Sequence, residues 1–234
     1  MALEEHAELV VKTKSGESYT IAESRIVKGS LTASSSCSSG GGIPAGACNI
    51  GTASVAFRAP SGLTYKKLYR AKVEIYAWYQ GYSKELYGTY NVSSAENNYG
   101  VYTLSLSDNI SLLDESCYAA NDTENAENWL YSQMAGRWNV PSVILNYICN
   151  AYNVPHYNAA ENEKYVPDSG NTALATGVSS ECSVESVKDF ANYLAEYLGC
   201  FIAAAPDGRV RFSRLGEREY KTELNQSNIS RGTL

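Results

Sequence analysis

The first half of the chain carries short strand-like apolar runs, with clear period-two alternation over Arg70 to Trp78, and two stretches of the second half show helical spacing. Leu9-Val10-Val11 and Tyr19-Thr20-Ile21 flank Lys14-Ser15-Gly16-Glu17, which predicts an opening β-hairpin with a glycine turn. Ile26 to Thr32 reads as the next strand. Thr32 to Gly42 (TASSSCSSGGG) reads as a small-residue linker with little to pack into a core. Ala53 to Ala59 is strand-like and is ended by Pro60-Ser61-Gly62. From Arg70 to Trp78, the residues Ala71, Val73, Ile75 and Ala77 fall on one face, with Arg70, Lys72 and Glu74 on the other. That is the pattern of a sheet with one dry and one wet face. Glu85 to Val92 and Val101 to Leu106 form another pair around an Asn-rich turn, and Ser107 to Leu113 reads as a short capped helix.

Beyond Cys117 the character changes. Ala119 to Asn128 is polar and loop-like. Asn139-Val140-Pro141 opens a helix reaching about Tyr152, since proline is tolerated in a first turn. Ile144, Leu145, Ile148, Cys149 and Tyr152 make its apolar stripe, and Asn153-Val154-Pro155 ends it. His156 to Asn171 reads as loop and Ala173 to Ser179 as a strand. Ser183 then suits the N-cap of a helix, its hydroxyl accepting from a free backbone N–H. Val184, Val187, Ala191, Leu194 and Leu198 share one face of that helix. Glu185 and Asp189 lie near the positive end of its dipole, and Gly199 stops it. Cys200 to Ala205 and the alternating Arg209-Val210-Arg211-Phe212 flank Pro206-Asp207-Gly208, a clear hairpin signal. Gly216 to Leu234 is weakly patterned, with Tyr220 to Leu224 reading as a strand that returns to the first unit.

This pattern divides the chain into a β unit over 1–115, an α+β module over 116–215, and a return segment over 216–234. Many short strands with few helices predict a small antiparallel barrel or sandwich in the first unit, and the second adds two helices on a small sheet. At 234 residues the chain is long enough for a real core in each.

Composition narrows the function classes. The net charge of −6 argues against a general nucleic-acid surface or attraction to an anionic membrane. No apolar run approaches the roughly 20 residues of a spanning helix, and MALEEHAELV lacks the layout of a signal peptide. Six cysteines without a C-x-x-C pair read as free thiols of a reducing compartment. The nineteen tyrosines, against four Phe and three Trp, suit half-buried β surfaces and interfaces.

Candidate chemistry is sparse. Cys149 and His156 are seven residues apart and could form a nucleophile pair, but Cys149 falls on a helical stripe, where a thiol acts as a small hydrophobe. His6, the other histidine, lies in a terminus expected to fray. No Cys, His and Asp spacing matches a metal site, and no Gly-rich phosphate cradle is present. The carboxylate pairs Asp114/Glu115, Glu161/Glu163 and Glu217/Glu219 lie in polar stretches as ordinary surface charges, without the spacing evidence that glycoside hydrolysis needs. No catalytic, cofactor-binding or metal-ligating residue is therefore assigned. Tyr76, Tyr79, Tyr82, Tyr87 and Tyr90 cluster in the first unit, either as a sugar-binding platform or as packing between strands or subunits.

The helix S-V-x-x-V-x-x-F-A-x-Y-L-A-E-Y-L-G-C-F with its D-G-R-V-R-F hairpin, over Ser183 to Phe212, resembles the hub proteins of phage tails. These are the baseplate hubs of contractile-tailed phages and the N-terminal part of prophage tail-associated proteins. Ile26 to Leu31, Tyr87 to Val92 and Thr103 to Leu113 match further segments of that family in order and spacing. The resemblance implies a tail-tube-like antiparallel β-barrel with an inserted α+β module. It also implies a non-enzymatic virion structural protein: a trimeric hub joining the tail tube to the spike or fibre, assembled in the bacterial host cytoplasm. Its expected partners are two further copies and other tail proteins such as the tube or distal tail protein. No cofactor, no specific nucleic-acid binding and no stable membrane insertion are expected. Ala119 to Asn128 is an insertion relative to the family, and the chain ends before the further domains of such hubs, as a short homologue or a truncated chain would. The alternatives are a carbohydrate- or receptor-binding module of the tail tip and a tail-associated cell-wall hydrolase.

Overall fold

The computed structural model describes residues 5–34, 48, 50–114, 141–163 and 186–213. β1 (Glu5–Lys12) and β2 (Ser18–Ile21) form the expected opening hairpin. β3 (Thr32–Ser34), β4 (Thr52–Arg58), β5 (Lys72–Tyr79), β6 (Glu85–Asn98) and β7 (Val101–Ser107) follow. Together they make one antiparallel seven-stranded sheet in the order β2-β1-β5-β6-β7-β4-β3. The period-two face predicted for β5 is observed, with Val73 and Ile75 buried, and β4 and β7 alternate likewise, with Val55, Phe57, Leu104 and Leu106 buried on the same inner face. Leu63 and Leu68, from the connection between β4 and β5, join the same core.

β6 curls this sheet. Its first half pairs with β5 and its second half with β7, and the register shifts once in each ladder. The shifts leave Tyr87 and Ser93 as extra residues, and such bulges bend a strand and strengthen its twist. The edges come close as a result. Only four residues lie between Ile21 of β2 and Ile26, which bridges Phe57 of β4 near the far edge, and that span reaches at most about 18 Å.

The expected closed barrel is not found. Among the described residues β2 and β3 do not pair, and the sheet stays open. The physical reason lies in residues 22–31, expected to supply a strand from Ile26. They are used instead in a 3-10 helix (Glu23–Arg25) and a turn at Gly29, so a ladder resumes only at Thr32, within what reads as linker from sequence.

The second core is helical. α1 (Pro141–Ala151) buries Ile144, Leu145, Ile148 and Cys149 as its spacing predicts, against Leu194 and Phe212 among others. Tyr152, placed on the same stripe, is only partly buried. α2 (Ala159–Glu163) corrects the loop expected after His156. Its N-terminus is a reciprocal capping box: Glu161 N donates to Asn158 Oδ1 at 2.9 Å, and Asn158 N donates to Glu161 Oε2 at 2.8 Å. α3 (Val187–Leu198) begins later than the expected Ser183. Ser186 is the N-cap, accepting from Asp189 N at 3.1 Å while its hydroxyl donates to Asp189 Oδ2 at 2.8 Å. Gly199 ends the helix in the left-handed region, as predicted, and β8 (Phe201–Ala204) pairs with β9 (Val210–Ser213) across the Asp-Gly turn. Residues 119–128, 173–179 and 220–224, read above as a loop and two strands, lie outside the described residues.

The two cores meet at the 3-10 helix Asn109–Leu113, whose Ile110 and Leu113 point into the helical core. Asn91 on β6 donates to Asn109 Oδ1 at 2.8 Å, and Asn109 Nδ2 donates onward to the Gly208 carbonyl. Beside them Thr89 Oγ1 donates to the Pro206 carbonyl at 2.9 Å. The hairpin turn is thus bonded directly to the sheet.

Candidate functional site

The open seam of the curled sheet forms a groove of about 1160 Å³. β2 covers only Leu9 to Lys12 of β1, so Glu5 to Glu8 have β5 on one side and no β2 residue on the other. The opposite wall is the segment from Glu23 to Leu31, and the end of β5 with the start of β6 completes it. Inside, the His6 ring stacks on Trp78 with centroids 5.6 Å apart, and its Nδ1 lies 2.8 Å from Glu23 Oε2. Tyr79 donates its hydroxyl to Glu5 Oε1 at 3.0 Å, and this bond raises the phenol pKa. Tyr82 and Tyr87 are 69% and 52% exposed. Tyr87 is the bulged residue of β6, which explains why a tyrosine beside a central strand faces water.

Aromatic faces and carboxylates in one recess favour cations and hydrogen-bond donors, because the ring quadrupole and the carboxylate both present negative charge. The outer face of β1 and β5 beside the groove already displays the effect. Lys84 Nζ sits 4.4 Å from the Tyr76 ring centroid and 5.9 Å from that of Trp78, and it is ion-paired with Glu8. Anionic ligands are disfavoured by Glu5, Glu23 and Glu85, which face Lys28 as the other charged lining residue.

Of the five clustered tyrosines, the structure brings Tyr79, Tyr82 and Tyr87 together on this groove. Tyr76 lies behind it, half-buried, with its hydroxyl donating to Glu74 Oε2 at 3.1 Å. Tyr90 is on the inner face, where burial pushes its pKa up to about 12. Its ring lies over Gly88, where a Cβ would sit 2.8 Å from it, so this glycine makes room for a core tyrosine. His6 corrects the expectation of a frayed terminus, since it sits in β1 opposite Trp78 of β5. The available signal was alternation: with Leu9 and Val11 inward, His6 and Glu8 fall on the outer face.

The other candidates are held in structural roles. Cys149 is buried among apolar side chains, and that burial pushes its thiol up to about 12. Both ring nitrogens of His156 are engaged, Nδ1 with the Val154 carbonyl and Nε2 with Asn146 Oδ1, each at 2.8 Å. Neither residue is arranged to activate the other. Asp114 pairs with Lys188 at 2.6 Å and Glu161 with Arg209 at 3.2 Å. Glu115, Glu217 and Glu219 lie outside the described residues. Among the described residues no group of three His, Cys, Asp or Glu side chains could hold a metal ion, and no helix is long and apolar enough to cross a membrane.

No family model matches the chain, and no curated protein matches it. Among solved structures it is similar to the 43 kDa tail protein of prophage MuSo2 from Shewanella oneidensis, at 14% identity and a TM-score of 0.46, over 88% of this chain and 52% of that one. It is also similar to a chain in the virion of a native gene transfer agent particle, at 12% identity and a TM-score of 0.34, over 54% of this chain. In each case the matched region spans 52% of the solved chain, about half its length.

Proposed function

We propose that this chain is a structural component of a phage-type tail tip, a trimeric hub that joins the tail tube to a spike or fibre. The observation that carries the reading is where the residues of the hub resemblance fall. The α3 helix and the D-G-R-V-R-F hairpin fold as one unit, and its Gly208 turn is the point at which the helical core is bonded to the curled sheet. The resemblance assigns the sheet to the wall of the ring and the helical module to its outer brace. The reading gives the chain no catalytic role, cofactor or metal. Molar mass by light scattering over a range of concentrations tests it. A species of about three times the 25.5 kDa of the chain is expected, and a monomer at every concentration overturns the trimer.

One observation favours a second reading, a carbohydrate- or receptor-binding module of the same particle. Tyr79, Tyr82 and Tyr87 line one recess, in which Tyr82 and Tyr87 stand exposed, and exposed rings beside carboxylates can stack on and bond to a sugar. Hits on a glycan array that vanish in Tyr82→Ala would select this reading over the hub.

A further inference from the structure

The groove has a complement at the other end of the same strands. β5 runs from Lys72 to Tyr79, eight residues or roughly 26 Å, and the groove takes its Tyr79 end. At the Lys72 end the β1–β2 turn and the connection between β4 and β5 lie side by side, tied by Lys67 Nζ to Glu17 and Tyr19. Lys14, Lys66, Arg70 and Lys72 belong to these segments and to the start of β5, all exposed and without an ion pair among the described residues. Tyr69 stands among them, 68% exposed, with the Arg70 guanidinium 5.4 Å from its ring centroid. Arg70 holds a left-handed backbone, φ 55. That conformation is costly for a residue with a Cβ, and such strain marks places where side-chain direction matters.

Resting on the hub reading, we infer that the basic, tyrosine-bearing end of one copy docks into the acidic aromatic groove of the next, making a head-to-tail contact that closes the ring. Charge decides the partner. The groove offers Glu5, Glu85 and the exposed rings of Tyr82 and Tyr87 to guanidinium and ammonium groups, and arginine in particular both stacks on rings and bonds to carboxylates. The two surfaces differ and lie at opposite ends of β5, so the contact is heterologous. Such contacts give closed rings when the rotation between copies closes. Tyrosine on both sides suits an interface that is dry in its centre and wet at its rim.

Charge reversal in the full chain tests the contact. Glu5→Lys with Glu85→Lys, and separately Lys66→Glu with Lys72→Glu, are each expected to raise the concentration of half-assembly at least about tenfold. All four changes in one chain are expected to restore assembly, because the attraction is re-formed with its signs exchanged. All these side chains are exposed, so thermal melting should stay near that of the parent; the neutral changes Glu85→Gln and Lys66→Gln give a second series if a reversal misfolds, each weakening assembly a few-fold. A trimer indifferent to every reversal overturns this contact and leaves the hub standing. A parent chain that stays monomeric overturns both. Reversals that each weaken assembly without rescue in the combined chain also overturn it, since the two surfaces then do not meet. So does Lys66→Glu with Lys72→Glu releasing a labelled DNA duplex at unchanged mass, which would make the basic end a nucleic-acid site.

Discussion

Asp108 carries two opposed demands. It is nearly buried, yet its carboxylate accepts from Gly51 N at 2.8 Å and from Ile110 N at 3.0 Å, capping the 3-10 helix that leads into the second core. Burial outweighs those bonds and pushes its pKa from 3.8 to about 6. The folded chain therefore holds this proton over a range where the unfolded chain has released it. The contribution to stability is fully present below the unfolded value and is lost as pH rises through about 6. Two pKa units correspond to up to about 3 kcal/mol. Unfolding free energies of the parent and of Asp108→Asn should therefore diverge against the parent by up to about that amount between roughly pH 4 and pH 7. A constant difference across the range would remove Asp108 as the titrating group. Asp108 could be read as a cap from sequence, because Ser107-Asp108 precedes an apolar run. Its burial could not, because Gly51 approaches it from 57 residues away.

Among the elements, the β8–β9 hairpin was the most legible and is also the most exacting. Its Asp-Gly signal is local, so the turn could be placed from five residues, but the reason for that glycine is not local. Gly208 sits at φ 82, and a Cβ there would lie 2.9 Å from Asn109 Nδ2 and 3.1 Å from Thr89 Cβ. Gly208→Ala should combine a left-handed penalty with overpacking against the sheet, for a loss of about 2–4 kcal/mol. In urea the midpoint should fall while the slope stays constant; an unchanged midpoint would mean that the hairpin does not need this close approach. Elements whose signals were local came through in the same way: the stripe of α1, the glycine end of α3, and the alternation of β5. The helix at 159–163 also carried a local signal, Asn158-Ala159-Ala160-Glu161, which the polar composition around it masked. The start of α3 shifted because Ser183 and Ser186 are both eligible caps, and the Ser186–Asp189 exchange decides between them. The curl of the sheet was illegible for a different reason. It depends on bulges at Tyr87 and Ser93, and a bulge is a property of two strands in register. The groove was illegible for the same reason, since it draws His6, Glu23, Trp78 and Tyr87 from four separate segments.

At the scale of the whole molecule, charge is arranged as well as counted. Each copy carries a net −6, so copies repel at long range, while the basic end and the acidic groove attract on contact. Ionic strength separates the two because they act over different distances. The screening length is about 30 Å at 0.01 M salt and about 10 Å at 0.1 M. Raising salt over that range suppresses repulsion between whole subunits while leaving contacts of 3–4 Å largely intact, and so should strengthen association. Above roughly 0.5 M the screening length shrinks toward 3 Å, and exposed ion pairs at the rim of the contact weaken. The concentration of half-assembly should therefore pass through a minimum near about 0.1 M salt. An interface held by apolar burial alone would show the first effect without the second, since added salt does not weaken apolar burial. Light scattering across a salt series reads the difference directly. The combined charge-swap chain keeps the net charge of the parent and should keep the minimum, whereas the Glu5→Lys, Glu85→Lys chain has its attraction reversed and should only gain association as salt rises.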